Sequence, residues 1–306
     1  MLITTDRSLR LPTYQPLKRF FRTPKGYVLL MLSFLTVMAG LPASLGTVLP
    51  GELGAMLGAA VLDVGLAGVL RGAWIVPTGA LLSGMFVALI LSLTEPFPVV
   101  VVTGMLAVNT KYLFQLRGRH VFNPAAFALV ASSILFSSGQ SWWGAMPDLP
   151  MPGLLVLVGT GWFIADRVNK MPAVLIYLGT SALLFTVASF VLDPARVAEV
   201  FRAPDVNATL FFAFFMVTDP PTSPTRYRDQ VIYGFIVAMT SVVIYLTLSG
   251  LYFLPAGLLV GNAWEACRRA VTLRSPSAPQ IARTAPRQIP QAPVERSLAD
   301  RERSVA

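Results

Sequence analysis

The stretch NATLFFAFFMVTDP, residues 207–220, is an apolar run that closes on Thr218-Asp219-Pro220, and SGMFVALILSLTEP, residues 83–96, closes alike on Thr94-Glu95-Pro96. The two endings, Leu93-Thr94-Glu95-Pro96 and Val217-Thr218-Asp219-Pro220, stand 124 positions apart. A second pair follows in the same order at an offset of 131: Phe122-Asn123-Pro124-Ala125 and Phe253-Leu254-Pro255-Ala256. Proline has no backbone donor and turns the residue before it away from helix. Each pair therefore marks the end or the start of an apolar helix, and paired breaks of this kind belong to chains built from two related halves.

The composition around these stretches excludes an ordinary water-soluble domain. Of 306 residues 55% are hydrophobic and 13% charged, against about a quarter charged in soluble domains, and the mean hydropathy is +0.65. At about 20 apolar residues per crossing, the chain from Gly26 to Arg269 has room for roughly ten spans. They are expected near 27–49, 53–70, 77–93, 98–116, 124–137, 153–166, 171–192, 207–218, 230–249 and 251–267. A single cysteine, Cys267, and a single histidine, His120, provide neither a disulfide framework nor a Cys/His metal cluster.

Charge tests this count independently, because cytoplasmic connections collect Lys and Arg. With the N-terminus inside, the inside segments hold 22 of the 24 basic residues, and only Arg196 and Arg202 fall outside. The net charge of +9 thus reports topology, and nucleic acid is not expected as a partner. The fold class implied by this pattern is an all-α polytopic membrane protein with a five-plus-five inverted repeat and both termini cytoplasmic. Its expected segments are a basic N-terminus (1–26), a first repeat (27–137), a connection (138–152), a second repeat (153–270) and a disordered tail (271–306). No helix period or apolar content gives the tail anything to bury.

Few polar residues lie at membrane depth. Thr218 and Asp219, followed by the turn-rich Pro221-Thr222-Ser223-Pro224, are read as part of a central ligand site, with Thr94 and Glu95 as its repeat-related counterpart. The competing reading makes these residues helix caps at the interface. Asp63, among apolar neighbours in the second span, is a candidate for an ion or ligand path or a hydrogen-bonded packing residue. Asn123 suits either a ligand edge or a helix–helix bond, while Asn109 and Asn262 are read as packing residues. Trp142, Trp143, Trp162 and Trp264 are read as an interface belt, and His120 as a surface anchor.

Lys111-Tyr112, the run Arg117-Gly118-Arg119-His120-Val121-Phe122-Asn123-Pro124-Ala125-Ala126-Phe127, Met216-Val217-Thr218-Asp219-Pro220 and Tyr233-Gly234 resemble the membrane component shared by the Rnf and Nqr respiratory complexes, the RnfD and NqrB proteins. The similarity spans most of residues 20–270 and looks nearest to short stand-alone relatives, among them membrane proteins of enediyne biosynthetic clusters. It implies ten helices as an inverted repeat and electron transfer coupled to ion movement. It also implies flavin mononucleotide esterified to a Thr in a Ser-Gly-Ala-Thr type motif between the halves. Residues 138–152 contain no Thr, so covalent FMN is not expected. A non-covalent flavin (FMN or riboflavin) is, with Asn123, Thr218 and Asp219 as its partners.

The resulting expectation is a membrane component of a flavin-linked electron-transfer or redox-coupled ion-translocating system in a bacterial-type inner membrane. It would be in contact with lipid and other subunits and would serve at most as an electron-carrying subunit. The alternative is a transporter, or a membrane component of an enediyne-type biosynthetic pathway. In oriented membranes, cysteine probes in the 138–152 and 193–205 connections are expected to label from outside and probes beside Arg117 and Arg167 are not; the reverse pattern refutes the charge argument.

Overall fold

Thr23 starts the first helix by accepting the Gly26 N–H on its hydroxyl at 3.2 Å, and Pro24 follows at the first helical position, where a missing donor costs nothing. This helix, α1 (Pro24–Ala43), leads into α2 (Leu45–Arg71), α3 (Thr78–Ile90) and α4 (Phe97–Leu113). A two-residue hairpin, β1 (Gln115–Leu116) and β2 (Arg119–His120), turns through Arg117 and Gly118 at positive φ. Next come α5 (Pro124–Phe136), a 3₁₀ turn at Trp143–Ala145, α6 (Pro150–Arg167), α7 (Met171–Ser189) and the short α8 (Pro194–Glu199). Helix α9 (Asp205–Phe211) runs on as a π-helical segment (Phe212–Met216), and α10 (Tyr227–Leu248) and α11 (Phe253–Arg274) complete the order. The computed structural model describes residues 20–72, 74–191, 194–248 and 252–274. Most of the expected N-terminal segment 1–26 and nearly all of the tail 271–306 lie outside the described residues. The chain divides into two units, residues 1–270 and 271–306, and the helices that position the candidate sites belong to the first.

Each of the ten apolar stretches expected from the sequence holds a helix. Among the described residues, α1, α2, α7 and α10 are long and apolar enough to cross a membrane, and α3, α4, α5 and α9 with its π segment are shorter apolar helices. The chain is mostly helical and has the make-up of a polytopic membrane protein.

Two expectations are corrected. The break between the first two helices falls at Ser44, at φ 72°, and not at Leu49–Leu53. Pro50 is accommodated near the start of α2, so Glu52, expected in a connection, lies inside that helix. The tryptophans of the 138–152 connection do not form an interface belt. Trp142 and Trp143 are each 6% exposed, because α3 stops at Ile90 and its last carbonyls need donors. Trp143 Nε1 donates to Ala88 O at 2.6 Å, and the N–H groups of Ser141 and Trp142 both donate to Ile90 O at 3.0 Å. Trp162 is exposed on α6, where a belt residue belongs.

Small residues set the helix spacing. A Cβ on Gly84 of α3 would come 2.6 Å from the Ala55 carbonyl of α2, and one on Gly104 of α4 would come 2.5 Å from the same oxygen. The apolar core joins both halves: Leu89 and Leu129 share one cluster with Trp142, Tyr177, Phe211, Phe212 and Tyr233. Asp63 of α2, 0% exposed, is held by Lys111 Nζ at 2.7 and 2.8 Å and by the Tyr112 hydroxyl at 2.7 Å.

A buried carboxylate stripped of its cation costs about 3–5 kcal/mol, whereas Lys111, 24% exposed, can reach solvent when its partner is removed. Lys111→Met is therefore expected to lower the thermal midpoint of the detergent-solubilised protein more than Asp63→Asn. The double variant should recover most of the loss. Equal losses in the two single variants would contradict the pairing argument.

Candidate functional site

Three helices begin at one end of the helix layer and turn their N-termini to a common space: α1 through Thr23, Pro24 and Lys25, α3 through Thr78, Gly79 and Ala80, and α5 through Asn123, Pro124 and Ala125. Between them lies a cavity of about 590 Å³. Its walls are apolar, from Val28, Leu82, Phe86, Val108, Ile164 and Phe215; its polar rim is Lys25, Lys111, His120, Asn123, Thr218 and Asp219. Helix N-termini carry partial positive charge, and two lysines stand beside them, so the cavity favours a ligand with an apolar body and an electron-rich or anionic edge. Its volume lies within the usual range for small-molecule sites, about 300–1,000 Å³.

The structure brings together Asn123, Thr218 and Asp219 and also shows what each already does. The Asn123 side-chain oxygen accepts from Ala126 N at 3.0 Å and so caps α5. Thr218 gives its hydroxyl proton to Phe214 O at 2.6 Å, which leaves it able only to accept. Asp219 Oδ2 accepts from the Thr222 hydroxyl at 2.7 Å, and its backbone carbonyl accepts from Ser223 Oγ at 2.7 Å. Asp219 thus ties the turn after the π-helical segment to Thr222 and Ser223. Lys170, between α6 and α7, steadies this turn by donating to the carbonyls of Ser223 and Pro224. Burial pushes the Lys170 ammonium down to about 8, with the Asp219 carboxylate acting in the opposite direction.

Thr94 and Glu95 do not join the cavity. Thr94 lines a separate cavity of about 610 Å³, and Glu95 one of about 190 Å³. Both sit where α1 and α3 end and α4 begins, at the far end of the layer from Asp219. The physical reason is that both Pro-marked breaks fall at helix ends and not at the middle of a span. Asp63 stands behind the cavity, reaching it only through Lys111. Asn262 is a packing residue, as read: its Oδ1 accepts from Asn123 N at 2.8 Å and its Nδ2 donates to the Tyr233 hydroxyl at 2.9 Å.

Sequence reasoning misses Lys25, Lys111 and His120 as site residues, because in sequence they belong to basic clusters that topology already explains. His120 is half-buried rather than a surface anchor; the hairpin folds it back, and its Nδ1 is buried without a hydrogen-bond partner. Burial, then the charges of Lys111 and Lys25, hold its imidazole below the usual pKa. The signal available in sequence is the lone histidine two residues beyond the Arg117-Gly118 turn, a spacing that folds it back along the preceding strand.

A sequence model described as the NQR2, RnfD, RnfE family matches residues 149–262. A curated relative, the D component of the ion-translocating oxidoreductase complex of Halorhodospira halophila, is 27% identical, the match covering 51% of this chain and 63% of the relative. The chain thus spans a little less than two thirds of the length of that relative. The resemblance to RnfD and NqrB read from the sequence is borne out, and Thr218, Asp219 and Asn262 lie within the matched residues.

Because the folded-state pKa of His120 is depressed, the unfolded chain binds more protons between that value and about 6.5. Stability is therefore expected to fall as pH drops through this window and to level off below the folded pKa. Thermal melts of wild type and His120→Gln across pH 5 to 7.5 check this: the variant should lose part of the acid-side decline, and identical profiles would refute the charged-neighbour argument.

Proposed function

We propose that the chain is the integral-membrane component of a multi-subunit, ion-translocating oxidoreductase of the RnfD and NqrB type. In this reading its helices form a five-plus-five inverted repeat in a bacterial-type inner membrane, with both termini cytoplasmic. The cavity of about 590 Å³ holds a non-covalent flavin. The observation that carries the reading is the cavity's composition: apolar walls supplied by residues from Val28 to Phe215, and a polar rim that sets Lys25 and Lys111 with Thr218 and Asp219 of the family-matched segment.

The residues present fit such a group. Phe86, Ile164 and Phe215 would flank an aromatic ring system, and the unpartnered His120 Nδ1 would be available to a polar edge of it. Lys25 would face an anionic edge or a phosphate, with Lys111, paired to Asp63, beside it. Thr218, with its proton committed, accepts from a ribityl hydroxyl. A bound flavin would supply one- and two-electron transfer; the chain itself binds it, orients it and keeps water from its apolar face. Covalent attachment is not supported by the connection: it has no Thr, and Ser138 and Ser141 are engaged by Ser132 and by Leu91 O.

A second reading, a transporter or a membrane component of an enediyne-type pathway, draws on the π-helical stretch Phe212–Met216 and the short α3 and α9, since irregular, interrupted helices are common in transporters. Purification in mild detergent separates the two. The protein should show flavin absorbance, release free flavin on heating and leave no fluorescent band on a denaturing gel. Lys25→Glu should bind flavin about ten-fold more weakly, the value of one charge-assisted hydrogen bond. Absence of flavin by both tests refutes the cofactor assignment, and solute flux in liposomes without redox partners would then establish the transporter.

A further inference from the structure

At the end of the layer opposite the basic cavity, where α1 ends and α2 and α4 begin, a cavity of about 190 Å³ is lined by Thr47, Glu52, Ser92, Glu95, Val100 and Trp143. Glu52 lies in α2, a helix long and apolar enough to cross a membrane, and is only 4% exposed. Thr36 Oγ1 stands 3.0 Å from its Oε1, while Oε2 is buried with no hydrogen-bond partner. Glu95 enters from the turn after α3 and is held by Gly139 N–H on its Oε1 at 2.8 Å. Among the described residues lining this cavity there is no Lys, Arg or His. Two carboxylates therefore line one small cavity without a counter-charge, and the buried one, Glu52, has an oxygen with nothing to bind. A buried ionised carboxylate in that state is strongly disfavoured.

We propose that this cavity binds a hard, oxygen-liganded cation between Glu52 and Glu95, with the hydroxyls of Thr47 and Ser92 as further donors, in exchange for a proton on Glu52. Carboxylate and hydroxyl oxygens suit Na⁺, Mg²⁺ or Ca²⁺ and not a soft metal, and the volume admits an ion with a few waters. The exchange is written in the hydrogen bonds of Thr36, whose hydroxyl also stands 3.1 Å from Leu32 O. It has one proton to give. With a cation bound, Glu52 is ionised and Thr36 donates to Oε1. With the cation gone, the protonated carboxyl donates to Thr36, which turns its own proton to the Leu32 carbonyl. Protonated Glu52 and a cation thus become ionised Glu52 with the cation bound and one proton released. The groups facing Glu52 are Thr36 on α1, Ala88 of α3 with Leu91 and Ser92 just past its end, Val100 on α4, and Glu95, which is the other titratable group among the described lining residues.

The test requires no flavin and no electron transfer, so its outcome is separate from the reading above. Full-length protein in detergent is titrated with NaCl, KCl, MgCl₂ or CaCl₂ against choline chloride at constant ionic strength. Thermal midpoint and the emission of Trp143, which lines the cavity, are followed at pH 6 and pH 8. The expected result is a saturable rise in the midpoint with Na⁺, Mg²⁺ or Ca²⁺, half-saturated at about ten-fold or more lower concentration at pH 8, as proton competition requires. Glu52→Gln, which keeps the shape and the Thr36 contact, should lose the response, and Glu95→Gln should weaken it about ten-fold. A wild type that answers every salt as it answers choline, an affinity independent of pH, or an unchanged response in Glu52→Gln would overturn the proposal. Should Glu52→Gln fail to fold, an unchanged response in Glu95→Gln would do so.

Discussion

Helix α3 ends at Ile90 after 13 residues, and the backbone carbonyls released there have no water to turn to within a helix layer. The segment that joins the two halves answers them. It sends Trp143 Nε1 to Ala88 O, the backbone of Ser141 and Trp142 to Ile90 O, and the Ser141 hydroxyl to Leu91 O, while Ser92 N returns to Gly139 O. The Ala145 carbonyl then accepts from Asn207 of α9 at 2.9 Å. One short helix thereby fixes the path of the connection, and the connection fixes where the second half packs. The aromatic cluster of Trp142 with Phe211 and Phe212, at ring separations of 6.2 and 6.3 Å, is built on that path.

The two ends of the layer differ in chemistry because helix direction and side-chain charge reinforce each other. At the basic end three N-termini converge with Lys25 and Lys111; Asp63, behind the cavity, is spoken for by Lys111 and Tyr112, and Asp219 lines it. Beyond them, Arg268 ties α11 to Asp229 of α10 at 2.9 Å and, with Arg269, holds Glu265. At the other end the cavities are lined by Glu52, Glu95, Asp148 and Asp205. Basic side chains thus gather at one face and carboxylates at the other, with Asp219 the one acid among the described lining residues of the basic cavity.

The apolar stretches that hold helices are legible in sequence because apolar length and the Pro, Gly and charge at their borders mark them. Asn123, Thr218 and Asp219 can be found because Pro124 and Pro220 flag helix ends. Sequence hides whatever is set by packing. Glu52 stands beside Pro50 and Gly51, which read as a turn, although a proline early in a helix interrupts only one hydrogen bond. His120 and Lys111 look like topology charges, since nothing local says that a hairpin will fold one inward and that the other will reach Asp63, 48 residues away. The tryptophans of the connection look like interface residues because the carbonyls they satisfy lie some fifty residues upstream.

The π-helical stretch Phe212–Met216 has a bearing on how this chain tolerates change in length. A π turn is in effect one residue inserted into an α-helix, and each residue rotates the downstream chain by about 100°. Loss of a single residue there would let the helix relax to regular α geometry with Thr218 and Asp219 kept close to their present orientation, whereas the same loss in a regular helix would rotate them by about 100°. Position therefore decides what a deletion does in this chain: the wide turn can give up one residue, while the regular helices on either side cannot do so without turning every side chain beyond the cut.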